Sequence, residues 1–205
     1  MSAQADPAVA AAVAAIRAGE VVILPTDTVY GLAGIADRPA GRDALYRLKG
    51  RDAAQPSALV AASLDALFDR VPELRGRSGR AAAALLPGPY TLVLTNPARR
   101  FAWLCGDDPT AIGVRVPELA GPGREVLDAV AVVVATSANL PGGREPRTIG
   151  EIPQSLRDGA AVIVDGGELP GVPSTVLDLT ERAPRVVREG AGDVDAALAR
   201  LAELD

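Results

Sequence analysis

The chain lacks histidine entirely and has one cysteine, Cys105, among its 205 residues. A Ser-His-Asp triad and a Cys-His dyad are therefore excluded within one chain, because each requires a histidine. The common zinc sites are excluded too, since their ligands are Cys and His. A hard cation such as Mg²⁺ remains compatible, because it needs only carboxylates, water and substrate phosphates. A single cysteine cannot form an internal disulfide, which fits a reducing compartment.

Aromatic residues and long apolar runs are also scarce, and acidic residues outnumber basic ones. Aromatics make up 3% of the chain and the net charge is −5. This composition argues against a general nucleic-acid binder, although it allows a local basic cleft. The apolar stretch 8–16 is too short to cross a membrane and no basic leader precedes it. The expectation is a cytoplasmic protein with no membrane segment.

Apolar periodicity and breaker residues predict helices and strands that alternate irregularly. Some predicted strands follow one another with no helix between them. That pattern favours a single twisted open α/β domain, residues 1–205, with a large mixed sheet flanked by helices. Helices are predicted over 7–18, 39–49 and 121–129 and after the caps Ser63, Ser78 and Asp193; strands over 20–24, 57–62, 90–95, 111–116, 131–136, 160–165, 174–179 and 185–188.

The segment 21–32 is the most informative part of the chain. The apolar run Val21–Leu24 suits a buried strand, and Pro25 denies the next ladder hydrogen bond. Two threonines and an aspartate follow at once, before Gly31 allows a sharp turn. Ligands bind at the carboxyl ends of strands in open α/β sheets, which favours a functional interpretation. The alternative is that these threonines and the aspartate only form an ordinary turn or cap a helix.

Five further polar clusters stand at strand ends or Gly/Pro turns. Each is more often structural than functional when taken singly. Together they supply hydroxyl, amide and guanidinium groups with no conventional base, which is typical of a site that binds and orients polar ligands. Because the chain has no P-loop and no G-x-G-x-x-G, any phosphate would have to be held by such side chains. The clusters are Lys49-Gly50-Arg51 with Gln55, Pro87-Gly88-Pro89-Tyr90-Thr91, Val114-Arg115-Val116-Pro117, Ala135-Thr136-Ser137-Ala138-Asn139, and 172–178 followed by Arg188.

In this order, from about residue 8 to about residue 192, the clusters resemble the YrdC/Sua5 family of threonylcarbamoyl-AMP synthases. The resemblance implies a twisted α/β domain with a deep, positive cleft. It also implies a nucleotidyltransferase reaction, in which L-threonine, bicarbonate or CO₂ and ATP give threonylcarbamoyl-AMP and pyrophosphate for the t⁶A modification of tRNA. Mg²⁺ would arrive with ATP, without a dedicated set of protein ligands. The product would pass to a downstream tRNA-modifying threonylcarbamoyltransferase.

The resemblance also implies roles for individual residues. Lys49 and Arg51 would be the catalytic cations. Thr28 and Ser174 would hold threonine, with Arg115 near its carboxylate or near the phosphates. The nucleotide side would be lined by Lys49, Arg51, Gln55, Thr91, Ser137, Asn139 and Arg188.

Four positions depart from the family pattern: Asp52 and Glu189 replace prolines, Ser57 stands where leucine is frequent, and a histidine usual near Val60 is missing. The carboxylate of Asp52 could form an ion pair with Arg51 and so offset its positive charge. Two alternatives therefore stay open beside the synthase. One is a family paralogue that carbamoylates or adenylylates a different amine, and the other is a non-catalytic RNA-binding module. Direct tRNA binding is expected to be weak.

Overall fold

The computed structural model describes residues 6–204, and within that range nine strands form one sheet. Three neighbouring pairs, β1–β7, β3–β5 and β4–β8, are parallel and the others are antiparallel, so the predicted mixed α/β sheet is confirmed. The strand order across the sheet is β7-β1-β2-β6-β3-β5-β4-β8-β9. The strands are β1 Val22–Pro25, β2 Tyr30–Ile35, β3 Ala58–Ala61, β4 Tyr90–Thr95, β5 Ala111–Arg115, β6 Val132–Ser137, β7 Val162–Ile163, β8 Thr175–Asp178 and β9 Arg185–Arg188.

Capping side chains and a left-handed glycine mark the ends of several helices. At the first helix, the Asp6 side chain accepts a hydrogen bond from the Ala8 amide at 2.9 Å, and Gly19 ends the helix in the left-handed conformation. Ser63 and Asp193 cap helices as predicted. The helices are α1 Pro7–Ala18, α2 Pro39–Lys49, α3 Leu64–Arg70, α4 Arg77–Leu85, α5 Gly121–Val130, α6 Gln154–Gly159 and α7 Val194–Ala202.

Two local predictions are wrong. Gly31 does not make a sharp turn; it lies inside strand β2, which the sequence analysis did not predict. Glycines weaken the β propensity of this segment, but pairing with both β1 and β6 outweighs that local preference. Ser78 does not cap a helix either, because α4 begins one residue earlier and Gly76 occupies the cap position. Several strands are also shorter than predicted, such as β7, which spans only two residues.

Alternating side chains divide the apolar residues between the two faces of the sheet. In β6, Val132 and Val134 belong to the core that contains buried residues of α2, α3, α4, α6 and α7, whereas Val133 belongs to the core that contains those of α1 and α5. Five helices therefore cover one face and two cover the other. No helix in the described range 6–204 has the length and hydrophobicity that crossing a bilayer requires.

The two-helix face is only partly covered. Helices α1 and α5 pack on apolar residues of β1, β2, β3 and β6, such as Leu24, Ala33 and Val133. Farther along the same face, β4 and β5 present the polar side chains Thr91 and Arg115, which alternate with the buried Leu92 and Val114 of the opposite core. The uncovered part of this face forms the cleft described next.

Candidate functional site

A cleft of about 1040 Å³, including the part open to solvent, lies between α5 and the uncovered strands. Its apolar wall is formed by α5, β1, β2 and β6, and its polar wall by the ends of β4, β5, β8 and β9. The strand register aligns the polar wall, because Val60 pairs with Arg115 and Val176 pairs with both Thr91 and Arg188. Gly123 lets α5 approach the end of β1, since a Cβ there would lie 2.6 Å from the Pro25 carbonyl oxygen.

The turn between β1 and β2 is tied together by the Thr26 hydroxyl. Thr26 Oγ1 donates to the Val29 carbonyl at 2.6 Å and accepts from the amides of Thr28 and Val29 at 3.2 and 3.1 Å. The Thr28 side chain is fully buried. Its hydroxyl lies 3.1 Å from that of Thr26 and accepts from Arg115 Nη2 at 2.7 Å. The turn therefore presents Thr26 to the cleft and holds Thr28 behind it.

Arg115 is anchored by the same turn. Its Nη2 donates to the Asp27 carboxylate, whose other oxygen accepts from the Glu118 amide at 3.2 Å. Burial raises the pKa of Asp27 above its ordinary value, and the neighbouring Arg115 opposes that rise. Arg115 Nε is buried without a hydrogen-bond partner. An unpaired buried donor in a cleft is costly, and an anionic ligand is suited to satisfy it.

Lys49 ends α2 and extends its ammonium to the end of β6. Its Nζ lies 2.6 Å from the Ser137 carbonyl oxygen and 3.0 Å from Asn139 Oδ1, with the Thr136 and Ser137 hydroxyls at 3.2 and 3.3 Å. These neighbours are all neutral oxygens. Burial, aided by Arg51, lowers the pKa of Lys49 to about 8, and Glu145 opposes the shift.

Arg51 lies two residues beyond Lys49, after the left-handed Gly50. Its Nη1 donates to Thr136 Oγ1 at 2.8 Å and its Nη2 to the Pro56 carbonyl at 2.6 Å. Its Nε is buried without a hydrogen-bond partner, as in Arg115. Asp52 does not pair with Arg51; its carboxylate accepts from the Ala54 amide at 2.9 Å. The departure at Asp52 therefore leaves the charge of Arg51 intact.

The third polar group lies where β4, β8 and β9 meet. The Thr91 and Ser174 hydroxyls are 2.8 Å apart, and Arg188 Nη2 lies 2.8 Å from the Ser174 carbonyl oxygen and 3.3 Å from its hydroxyl. A Cβ on Gly190 would lie 2.1 Å from the Pro173 carbonyl oxygen, so only glycine allows this close approach. The approach holds the chain beyond β9 against the segment that carries Ser174.

The fold thus brings most of the predicted site residues to one cleft. Gln55 is an exception, because it is exposed and only its backbone is engaged: its amide donates to the Asp52 carbonyl at 3.2 Å, and its carbonyl accepts from the Tyr46 hydroxyl at 2.5 Å. The sequence analysis missed three participants: Thr136 as a shared acceptor, Asp27 as the partner of Arg115, and Glu145 in the cleft lining. The sequence could have indicated Asp27 and Thr136, since Asp27 lies in the segment 21–32 and Thr136 in the cluster 135–139, both of which were singled out as polar segments. No local signal marks Glu145.

Comparison with known proteins supplies independent information on the family and fold of this chain. The Sua5/YciO/YrdC family model, described as telomere recombination, matches residues 14–190. A Mycobacterium tuberculosis relative, provisionally named as a threonylcarbamoyl-AMP synthase, is 32% identical over 188 residues, which are 91% of this chain and 86% of that protein. The human threonylcarbamoyl-AMP synthase is 35% identical over 184 residues, covering 84% of this chain and 63% of the human protein.

Solved structures show the same fold. The Pyrococcus abyssi Sua5 structure in complex with L-threonine has a TM-score of 0.85 and 29% identity, over 94% of this chain. This chain spans 56% of that protein's length. Escherichia coli YciO has a TM-score of 0.81 and 29% identity, over 93% of this chain and 92% of its own.

From its burial we predict that the Lys49 ammonium loses its proton at an unusually low pH, which one NMR signal can report. Lys49 is the only lysine, so side-chain labelling of lysine gives a single unambiguous resonance. We expect its midpoint near pH 8, because burial disfavours the charged form. A midpoint near 10.5, the ordinary value, would contradict the burial of Lys49 in this site.

The same pKa shift sets the sign of a stability effect. Between pH 8 and 10.5 the unfolded chain binds more protons at Lys49 than the folded chain does. The free energy of unfolding should therefore gain a positive slope from Lys49 over this window, and Lys49→Met should lose it. The test measures the free energy of unfolding by urea denaturation at several pH values, for wild type and for Lys49→Met. Equal slopes against pH in the two proteins would count against the lowered pKa of Lys49.

Proposed function

Since this chain belongs to the Sua5/YciO/YrdC family, as its motifs predicted, we propose that it is an L-threonylcarbamoyladenylate synthase. The single observation that carries the proposal is the cleft, where neutral oxygens hold Lys49 and two buried guanidinium Nε groups remain without a partner. Such a cleft suits a polyanion. The names of the human and Bacillus subtilis relatives, at 35% and 31% identity, support the same activity.

The chemistry requires no histidine. The neutral amine of threonine takes up CO₂ as a carbamate and releases a proton to solvent, or takes up bicarbonate and releases water. A carbamate oxygen then attacks the α-phosphorus of ATP, and pyrophosphate leaves as the new P–O bond forms. Positioning of the reactants and neutralisation of phosphate charge can supply most of the catalysis in such a transfer.

The residues divide between two sides of the cleft in this proposal. Lys49 and Arg51 act as catalytic cations toward the phosphates, with Thr91, Ser137, Asn139 and Arg188 around the nucleotide. Ser174 and Arg115 bind threonine directly. Thr28 supports that side from behind, because it is buried and orients Arg115. Gln55 would have to turn inward to reach the nucleotide, because it is exposed.

The wider biological setting is part of the same proposal. ATP enters as a substrate with Mg²⁺, which completes the charge balance of its phosphates. The product passes in the cytoplasm to a threonylcarbamoyltransferase that modifies tRNA. A paralogue acting on another amine is the second candidate, and the departures from the family pattern at Asp52, Val60 and Glu189 favour keeping it.

The proposed reaction predicts a strict requirement for three substrates. We expect pyrophosphate release only when ATP, bicarbonate and L-threonine are present together, because the carbamate nucleophile forms only from the last two. Coupled phosphate detection with single omissions measures this. Release that persists without any amino acid would refute the synthase, and faster release with another amine than with threonine would establish the paralogue.

The nucleotide side can be tested by a pair of arginine substitutions. Arg51→Ala should weaken ATP binding by about 1.5–3 kcal/mol, the range for hydrogen bonds to charged groups. Arg47→Ala makes the same charge change on the exposed face of α2 and should leave affinity almost unchanged. Calorimetry measures both. Equal effects of the two substitutions would mean that Arg51 acts only as a general surface cation.

The threonine side predicts an order of amino-acid preference. Loss of one methyl group in an apolar pocket costs ~1–3 kcal/mol, so serine should react slowly but detectably. Valine should be worse, because it leaves a buried polar partner without a hydrogen bond. Ser174→Ala should lower kcat/KM for threonine, whereas the exposed Ser155→Ala should not. If valine equals threonine, or if Ser174→Ala changes nothing, the threonine site lies elsewhere.

A further inference from the structure

Glu145 is an acidic side chain in an otherwise cationic part of the cleft. It lies on the loop that follows β6 and lines the cleft together with Arg51 and Ser137. Its Oε2 is buried without a hydrogen-bond partner. Within residues 6–204 its carboxylate forms no hydrogen bond and no ion pair. Glu145 is half-buried, and a carboxylate oxygen shielded from water without a partner is unfavourable, so this position suits a ligand.

The surroundings of Glu145 indicate which side of the cleft it serves. Its charge acts on Lys49, where it opposes the lowering of that residue's pKa. Lys49 is held by the oxygens of Thr136, Ser137 and Asn139 instead, and Arg51 by Thr136 and Pro56. The carboxylate therefore acts on Lys49 without neutralising it by contact, and it lines the same cleft as Arg51.

This position would be unfavourable for a bare triphosphate. Like charges repel at close range, and the repulsion is strong where water is partly excluded. A divalent cation between carboxylate and phosphate turns the repulsion into two attractions. Mg²⁺ commonly binds proteins through one or two carboxylates while substrate phosphates and water complete its shell. No group of three or more Asp, Glu, Cys or His side chains able to cage a metal occurs in the described part of the chain, so such an ion would have to arrive with the phosphates.

We propose that Glu145 is a direct protein ligand of the divalent cation that accompanies the bound nucleoside triphosphate. The inference rests on the proposed function, since it requires ATP in this cleft. Glu145 is then the residue that makes the site select the metal complex over free ATP. An ammonium group of the amino-acid substrate is the rival occupant, and it predicts no dependence on metal.

A thermodynamic cycle separates these possibilities. ATP affinity is measured by calorimetry in Mg²⁺ and again in EDTA, for wild type and for Glu145→Gln. We expect the substitution to weaken binding of the magnesium complex at least about tenfold, the lower end of losses seen when metal-site residues are removed. Binding of metal-free ATP should stay equal or become tighter, because a repulsive charge has been removed. Glu118→Gln is the control, since it removes the same charge from an exposed side chain beyond the lining.

A direct measurement of the metal completes the test. Mn²⁺ in the ternary complex with ATP should show a changed electron paramagnetic resonance spectrum in Glu145→Gln but not in Glu118→Gln. If Glu145→Gln does not fold, Glu145→Asp keeps the charge and should shift the same spectrum by shortening the ligand. Equal changes in affinity with and without metal, or an unaltered Mn²⁺ spectrum, would overturn the assignment while the synthase proposal stands. Absence of ATP binding to wild type under both conditions would overturn both.

Discussion

Two helices cannot cover one face of a nine-stranded sheet, and the part of the face that they leave uncovered forms the cleft. At about 4.8 Å between strands the sheet spans roughly 38 Å, whereas a helix is only about 10 Å across. Helices α1 and α5 cover the apolar part of the face near β1, β2 and β6. Because β4, β5 and β8 receive no such cover on this side, their outward positions carry polar groups such as Thr91 and Arg115. The cleft is therefore a consequence of incomplete layering, and its floor is as rigid as the sheet.

The two buried cations of the cleft are held in opposite ways. Arg115 faces the Asp27 carboxylate, so its charge is largely balanced and it serves as a fixed donor beside Thr28. Lys49 is surrounded by neutral oxygens, so its charge is not cancelled by contact. The uncancelled positive charge lies at the end of β6, with Arg51 beside it. This asymmetry agrees with a small zwitterion near Arg115 and a polyphosphate near Lys49.

A site without histidine can catalyse by placement and charge. Here the placement comes from backbone elements that meet at one point: the end of α2, the end of β6, the β1–β2 turn and the segment before β8. Lys49 is held by four neutral oxygens at the end of β6, and Arg115 is held by the Asp27 carboxylate and the Thr28 hydroxyl of the β1–β2 turn. The likeness to Sua5 and YciO structures over more than nine-tenths of this chain agrees with a scaffold that preserves such a meeting point.

The amino-acid sequence by itself determined the caps of α1 and α7, the alternation of the main strands, the mixed α/β class and the set of motifs, because these depend on neighbouring residues. Tertiary structure alone decided that the glycine-containing segment 30–35 is a central strand, since pairing on both edges outweighs its weak propensity. It also decided that Thr28 is buried, that Gln55 is exposed and that Glu145 enters the cleft. Burial and electrostatic partners come from residues far apart in the chain, and no local pattern encodes them.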